Sequence, residues 1–181
     1  MGPEQFTHLF QTLARLYSKA PAARDALIWI GSRDPAGPEG HEAMKILARD
    51  HVGTEGLGPV CDAVASLPTA AAEAFLRAVG DNSPHREVRA RAGLALALIL
   101  KRWSENAADL ADADSRRARQ MAQYFGEPIA ERIGKDPRAI AEEAERLFKH
   151  AAETSGDVVL TGGRLGEIAE PALYEMVVRW R

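Results

Sequence analysis

The most constraining feature of this sequence is an apolar helix pattern over residues 83–103, which includes the uncharged run 93–100. Ser83 can cap a helix, and Pro84 suits a first helical position because proline has no amide hydrogen. Apolar residues recur at helical spacing, at Val88, Ala92, Ala95, Leu96, Ile99, Leu100 and Trp103. Because the second half is apolar nearly all round, it needs neighbours on several sides. We predict that this segment is the central helix of an all-helical domain.

The composition favours helices over sheets. Of the 181 residues, 46% are hydrophobic and only 6% aromatic, and alanine is abundant, which is typical of close-packed helices. We expect one all-α domain over residues 1–181 with about seven to nine helices, built as an irregular bundle or a short right-handed stack of helical hairpins similar to HEAT or TPR repeats. Its two sub-parts, 1–80 and 81–181, are expected to share the central helix at 84–103.

Further helix boundaries follow from caps, prolines and glycines. Helix starts are predicted where a cap or a proline precedes an apolar periodic run, at Pro3, Pro21, Thr69 and Asp136. Gly80 fits the left-handed position just past a helix end, and Pro171 is expected to interrupt or restart the last helix. Residues 104–120 have few large apolar side chains, so they form either a solvated helix extension or a mobile loop.

Charge and hydropathy narrow the class of protein. The net charge of −3 provides no global basic field for nucleic acid or anionic lipid, and no 18-residue apolar run is present. The N-terminus has no basic segment followed by an apolar stretch. We therefore expect a soluble chain without a membrane span or signal peptide, cytoplasmic by default. Cys61 is the single cysteine, which excludes an internal disulfide and a Cys-x-x-Cys pair.

Part of the central helix is similar to the second helix of a HEAT repeat. The matching features are Pro84 followed by Val88 and Arg89, and then Ala92 and Leu96 at helical spacing. This pattern is short, and no period of 40–47 residues runs through the chain. Because this period is missing, we expect an irregular right-handed stack and not a regular solenoid.

Seven segments together resemble the helical region that precedes the thioredoxin-like domain in bacterial redoxin-family (thiol–disulfide oxidoreductase-like) proteins. They span most of residues 4–178 and their order carries the resemblance: DALIWI (25–30), ARDHV (48–52), GPVC (58–61), SPHREVR (83–89), ALA (95–97), EAERLF (143–148) and LGEIA (165–169).

This resemblance implies a partner and no chemistry. In such proteins a thioredoxin fold with a Cys-x-x-Cys site follows the helical region, whereas this chain stops at Trp180 and Arg181, about where that domain would begin. No catalytic residue of the family carries over. The chain is then either an excised domain or a stand-alone relative, and a docking or spacing module is the role that the resemblance favours.

Four metal-capable side chains lie within 11 residues: His41, Glu42, Asp50 and His51. Catalytic zinc helices usually place two histidines at i and i+4, but these histidines are ten residues apart, near opposite sides of a helix. Surface and capping roles are favoured, so no metal and no cofactor are expected. A small metal-binding protein or enzyme that uses these four residues is the alternative.

Two other motifs have simple structural interpretations. Cys61 lies with Val60 and Val64 on an apolar face, which indicates a buried small side chain and not a nucleophile. The segment TGGRLG at 161–166 lacks the glycine spacing of phosphate-binding loops and predicts a turn followed by a helix start.

Basic residues along the central helix are the remaining candidates for a site: Arg86, Arg89, Arg91, Lys101 and Arg102. Arg86 and Arg89 can pair with acids such as Glu87, Asp81 or those of a facing helix. A HEAT-like stack could instead use Arg86 and Arg89 against phosphate or nucleic acid, but the net charge and the lack of interleaved aromatic residues disfavour this.

No catalytic constellation is recognisable, so we predict a non-enzymatic helical scaffold or protein-interaction module. Its expected partner is a protein or an adjacent thioredoxin-like domain, and a homo-oligomer is left open. The predicted interaction residues are Arg86, Arg89, Arg102 and Trp180. Trp180 either fills a gap between helices or is exposed where a covering domain is absent.

Overall fold

The computed structural model describes Thr12 and residues 20–110, 116–160 and 162–180, without the side chains of residues 108, 109 and 180. The helix predicted from Pro3 therefore lies outside the described residues. The helices are α1 Pro21–Arg33, α2 Pro38–Asp50, α3 Gly58–Val64, α4 Ala70–Asn82, α5 Arg86–Glu105, α6 Ala107–Leu110, α7 Arg116–Phe125, α8 Glu127–Lys135, α9 Pro137–Ser155 and α10 Leu165–Trp180, with a 3-10 turn at Glu55–Leu57. The all-α prediction is confirmed, and nine of these helices have seven residues or more.

The helix α5 lies at the centre of the bundle, as predicted. Helices α3, α4, α9 and α10 all pack against it. Its apolar side chains are buried on more than one side, since Leu94 and Ala97 are enclosed together with the predicted face that includes Leu100 and Trp103. The uncharged run therefore contributes to the core in several directions, which makes α5 the main source of buried apolar area.

The start of α5 differs from the prediction by two residues. The helix begins at Arg86, and neither Ser83 nor Pro84 occupies the predicted cap and first position. The amide of Ser83 instead donates to the carbonyl of Val79 at 3.0 Å and so closes α4. The Ser83 hydroxyl accepts from the amide of His85 at 3.4 Å, within the link between the two helices.

The prediction that Gly80 ends α4 in a left-handed conformation was wrong. Helix α4 continues to Asn82, whose side-chain amide donates to the carbonyl of Ala78 at 2.9 Å and satisfies one of the last helical acceptors. Among the described residues, a positive φ occurs only at Gly126 and Gly163, the first before α8 and the second in a hairpin.

Two predicted helix starts are confirmed by their capping bonds. The hydroxyl of Thr69 accepts from the amide of Ala72 at 3.2 Å, and the carboxylate of Asp136 accepts from the amide of Ala139 at 2.9 Å. The predicted break at Pro171 was wrong, because α10 is continuous through it. Side chains before and after the proline are buried, and their packing keeps both halves of the helix against the core: Leu165, Ala169 and Met176.

A short hairpin links α9 to α10. Its strands, β1 Val159–Leu160 and β2 Gly163–Arg164, pair antiparallel, with Val159 opposite Arg164. Gly163 has φ of 130°, which a side chain would strain. No helix within the described ranges combines the length and apolar character needed to cross a membrane.

Candidate functional site: a groove along the central helix

A groove of about 480 Å³ lies along α5, between α4 on one side and α9 on the other. Its floor comes from α5, at Ala90, Gly93 and Leu96. Leu76 of α4 and Leu147 of α9 add apolar surface from the two sides. Polar and charged residues from all three helices complete the lining, among them Asp81, Arg89 and His150. A concave site of this size that combines apolar surface with polar groups is typical of ligand and side-chain binding sites.

Arginine contacts close both ends of this groove. At one end, Nη1 of Arg77 on α4 donates to Glu143 on α9 at 2.7 Å. At the other end, Arg86 donates to the carbonyl of Thr154 at 2.8 Å and forms an ion pair with Asp157 at 2.5 Å. The first contact joins α4 to α9, and the second joins α5 to the end of α9.

The bond between Arg77 and Glu143 belongs to a cluster of four charged residues that joins α4, α8 and α9. Arg77 also pairs with Glu73 at 2.8 Å, and Arg132 contacts Glu73 at 2.6 Å and Glu143 at 3.4 Å. The guanidinium of Arg132 lies 5.6 Å from the ring centroid of Trp103, a cation–π arrangement. The cluster therefore links three outer helices to the central one.

Glu143 is ionised by its surroundings. Burial alone would raise its pKa, but the hydrogen bond from Arg77 and the charges of Arg77, Arg132 and Arg146 outweigh this effect. The pKa of Glu143 is consequently lowered from its ordinary value of 4.5. Its carboxylate is thus negative at neutral pH and forms ion pairs with Arg77 and Arg132.

Two opposite charges at the groove lack an internal ion-pair partner. Arg89 donates from Nη1 to the carbonyl of Ser83 at 2.8 Å, but no carboxylate among the described residues lies within ion-pair distance. Asp81, which also lines the groove, forms no ion pair with the described part of the chain. Arg77 and Arg86, in contrast, are neutralised by Glu143 and Asp157.

Two helix-interior glycines face the groove from different helices. A Cβ atom added at Gly80 of α4 or at Gly93 of α5 would meet nothing within 4 Å. Packing therefore does not require glycine at either position, although glycine costs a helix interior about 0.5–1 kcal/mol relative to alanine. The open space in front of both residues is part of the groove volume.

The predicted row of cations does not form one continuous surface. Arg86 and Arg89 line the groove, whereas Arg91 and Lys101 form their own ion pairs on other sides of α5. The acids that neutralise them are Asp62 and Glu87 for Arg91, and Glu105 and Glu175 for Lys101. Three of the five cations therefore form ion pairs within the fold. The acids named in the sequence analysis are not the partners of Arg86 and Arg89, because Glu87 pairs with Arg91 and Arg86 pairs with Asp157.

Arg102 does not line the groove, and the structure does not describe the side chain of Trp180. Arg102 is exposed and donates to the carbonyl of Ser66 at 2.6 Å, which ties α5 to the segment after α3. Trp180 is the last residue of α10, and its side chain lies outside the described residues. Of the four predicted interaction residues, only Arg86 and Arg89 are brought to one site.

The four metal-capable residues are not brought together either. His41 and His51 are separated by about 15 Å of helix rise along α2. Asp50 pairs with the neighbouring Arg49 at 2.6 Å, and His51 is the residue that follows the end of α2. Within the described ranges, no group of three or more His, Cys, Asp or Glu side chains forms a set that could hold a metal ion.

Cys61 and the glycine-containing loop have the roles that the sequence predicts. Cys61 is fully buried, and burial raises the pKa of its thiol to about 12. The segment before α10 is a hairpin turn followed by a helix start, in which the carboxylate of Glu167 accepts from the amide of Arg164 at 2.9 Å. The amide of Arg164 therefore already donates to a carboxylate, whereas the amides of a phosphate-binding loop donate to the bound phosphate.

Sequence reasoning missed the groove as a site. Its walls include His150 of α9, which no local motif marks. The available signal was the pair of glycines in helical runs, Gly80 and Gly93, since an isolated glycine within a helix often has a packing or functional reason.

Comparisons of the chain with family models, with curated proteins and with solved structures find no match.

Proposed function

We propose that this protein is a non-enzymatic α-helical interaction module that binds a protein partner through the groove along α5. The observation that carries the proposal is the groove itself, which is apolar at its floor and bordered at both ends by arginine contacts. It is lined by two charges, Arg89 and Asp81, that have no ion-pair partner in the part of the chain that the structure describes. Protein interfaces commonly place a few large side chains in such concave sites.

The size of the groove supports the insertion of side chains over the binding of a whole helix. Its floor from Arg86 to Leu96 spans about 15 Å of α5. A helix of that length, about 10 Å in diameter, occupies roughly 1,200 Å³. The groove volume of about 480 Å³ is less than half of this, so it suits inserted side chains of a partner. The partner would therefore lie across the groove and insert an anchor residue.

The contacts at the two ends of the groove support a preformed site. The bond from Arg77 to Glu143 joins α4 to α9, and the contacts of Arg86 with Thr154 and Asp157 join α5 to the end of α9, before any partner binds. Since the walls are already ordered, little conformational entropy would be lost by the module on binding. A preformed site of this kind favours a binding role for the module.

The sequence resemblance suggests one class of partner. The helical region that this chain resembles precedes a thioredoxin-like domain, so an adjacent or separate domain of that kind is a candidate occupant of the groove. The proposal requires no catalytic residue in the helical module. It assigns to the module the docking or positioning of the partner.

The experiment that tests this function is selection from a random peptide library displayed on phage, with the purified protein as bait. Gly93→Phe should fill the groove from its floor, because a Cβ there meets no other atom within 4 Å. Gly134→Phe is the control, since a Cβ at Gly134, in the last turn of α8, also meets nothing within 4 Å, and Gly134 does not line the groove. Circular dichroism and unfolding curves verify that both variants fold.

We expect the selected peptides to bind the wild-type protein and Gly134→Phe equally, and to bind Gly93→Phe about tenfold more weakly or worse. If Gly93→Phe does not fold, Gly80→Leu blocks the same groove from α4. Failure to enrich any peptide, or equal binding to all three proteins, would contradict the proposed function.

A further inference from the structure

We infer that the occupant of the groove is a peptide segment with a large apolar anchor flanked by one acidic and one basic side chain. The inference rests on the proposed function and deepens it. The anchor enters the space in front of Gly80 and Gly93, the acidic side chain pairs with Arg89, and the basic side chain pairs with Asp81.

The acidic side chain follows from the state of Arg89. Of the three arginines found in the lining, Arg77 and Arg86 each have a carboxylate partner, whereas Arg89 has none within the described ranges. Its one hydrogen bond from Nη1 to the carbonyl of Ser83 fixes the guanidinium but leaves other N–H groups available. A carboxylate is the ligand that matches such a group in charge and geometry.

The basic side chain follows from Asp81. This carboxylate shares the groove with Arg89, has no ion pair within the described residues and is exposed at the end of α4. A ligand with charge of one sign, such as a fatty acid or a phosphate polymer, would pair with Arg89 and be repelled by Asp81. A peptide can present both signs at once, and charge complementarity therefore favours it.

The anchor follows from the two glycines. Gly80 and Gly93 approach the same space from α4 and α5, and neither is required there by contact with a neighbouring atom. Alanine at both positions would be accommodated and would narrow the groove. Glycine keeps the space open for a bulky side chain of the partner, with Leu76, Leu96 and Leu147 around it.

The test uses peptides enriched on the wild-type protein and measures their affinity for charge-neutral variants by fluorescence anisotropy. Arg89→Gln and Asp81→Asn remove the two free charges of the groove. The matched controls are Arg102→Gln, because Arg102 also lies on α5 and also donates to one backbone carbonyl, and Glu131→Gln, an exposed acid away from the groove. Unfolding curves verify that each variant is folded.

We expect the peptides to share an apolar residue between an acid and a base, and to lose about tenfold in affinity with Arg89→Gln and with Asp81→Asn. The controls should leave affinity unchanged. Replacement of the peptide's acid by its amide should weaken binding to the wild-type protein but not to Arg89→Gln, which assigns the pair.

The outcomes separate this inference from the function on which it rests. Peptides that lose affinity with Gly93→Phe but are unaffected by Arg89→Gln and Asp81→Asn would overturn the charge assignment and leave the groove as the binding site. Equal losses with the control variants would overturn it as well. If no peptide is enriched, both proposals fail.

Discussion

Arg77 on α4 donates to Glu143 on α9 at 2.7 Å, and this hydrogen bond closes one end of the groove along α5. The two residues are 66 positions apart in the sequence. Glu73, which also accepts from Arg77, is only 12% exposed, so the acids of this cluster lie partly out of solvent. Ion pairs that are partly buried and share several hydrogen bonds contribute more than exposed pairs do.

We expect Arg77→Met to lower the free energy of unfolding by about 1–3 kcal/mol, because Glu143 and Glu73 lose a charged hydrogen-bond donor. The measurement is denaturant unfolding near neutral pH. Arg138→Met is the control, since the pair of Arg138 with Glu142 is highly exposed and should cost less than about 0.5 kcal/mol. Equal losses of unfolding free energy from the two substitutions would show that the Arg77 pairs stabilise the protein no more than an exposed pair does.

The lowered pKa of Glu143 predicts a pH dependence. A carboxyl whose pKa is lower in the folded state than its ordinary 4.5 stabilises the fold above that value and loses this contribution as pH falls through the folded pKa. The difference in unfolding free energy between wild type and Glu143→Gln should therefore shrink as the pH falls below about 4.5. A difference that stays constant or grows on acidification would contradict this.

Leu100 and Leu98 provide a test of the central position of α5. Leu100 is fully buried and Leu98 only partly, although the two lie on the same helix. We expect Leu100→Ala to cost about 2–5 kcal/mol in the free energy of unfolding and Leu98→Ala clearly less. Chemical denaturation of both variants gives the comparison, and similar losses would place the two residues in equivalent surroundings.

Replacing glycine by alanine should change the free energy of unfolding in opposite directions at two helix positions, Gly80 and Gly40. Gly80→Ala is expected to raise the free energy of unfolding by about 0.5–1 kcal/mol, because alanine favours a helix and its Cβ meets nothing within 4 Å. At Gly40 of α2, a Cβ would overlap the carbonyl oxygen of Asp34, so Gly40→Ala should destabilise the protein. Thermal or chemical unfolding checks both, and a destabilising Gly80→Ala would mean that the groove is narrower than described.

Cys61 should be unreactive in the native protein. Since the pKa of its thiol is raised to about 12, only about one molecule in ten thousand carries the thiolate near pH 8. We expect a thiol-specific chromogenic reagent to label it slowly in buffer and rapidly in concentrated guanidinium chloride. Rapid stoichiometric labelling of the native protein would contradict the burial of Cys61.

Much of the helical framework was predictable because its signals are local. The caps at Thr69 and Asp136 act on amides three residues away, and the face that includes Leu100 and Trp103 follows from helical spacing. The same local rules were wrong at Gly80, where the side chain of Asn82 helps to end α4 two residues later. They were also wrong at Pro171, where packing on both sides keeps α10 continuous.

The groove and the partners of the arginines were not predictable from local pattern. Arg86 meets Asp157 from 71 residues away, so its neutralisation depends on how α9 returns along α5. Helical periodicity and capping follow from neighbouring residues of one chain segment, and they mark a central apolar helix without its neighbours. A groove exists only where helices remote in sequence meet at a given distance, and this packing leaves Arg89 and Asp81 without an ion-pair partner among the described residues.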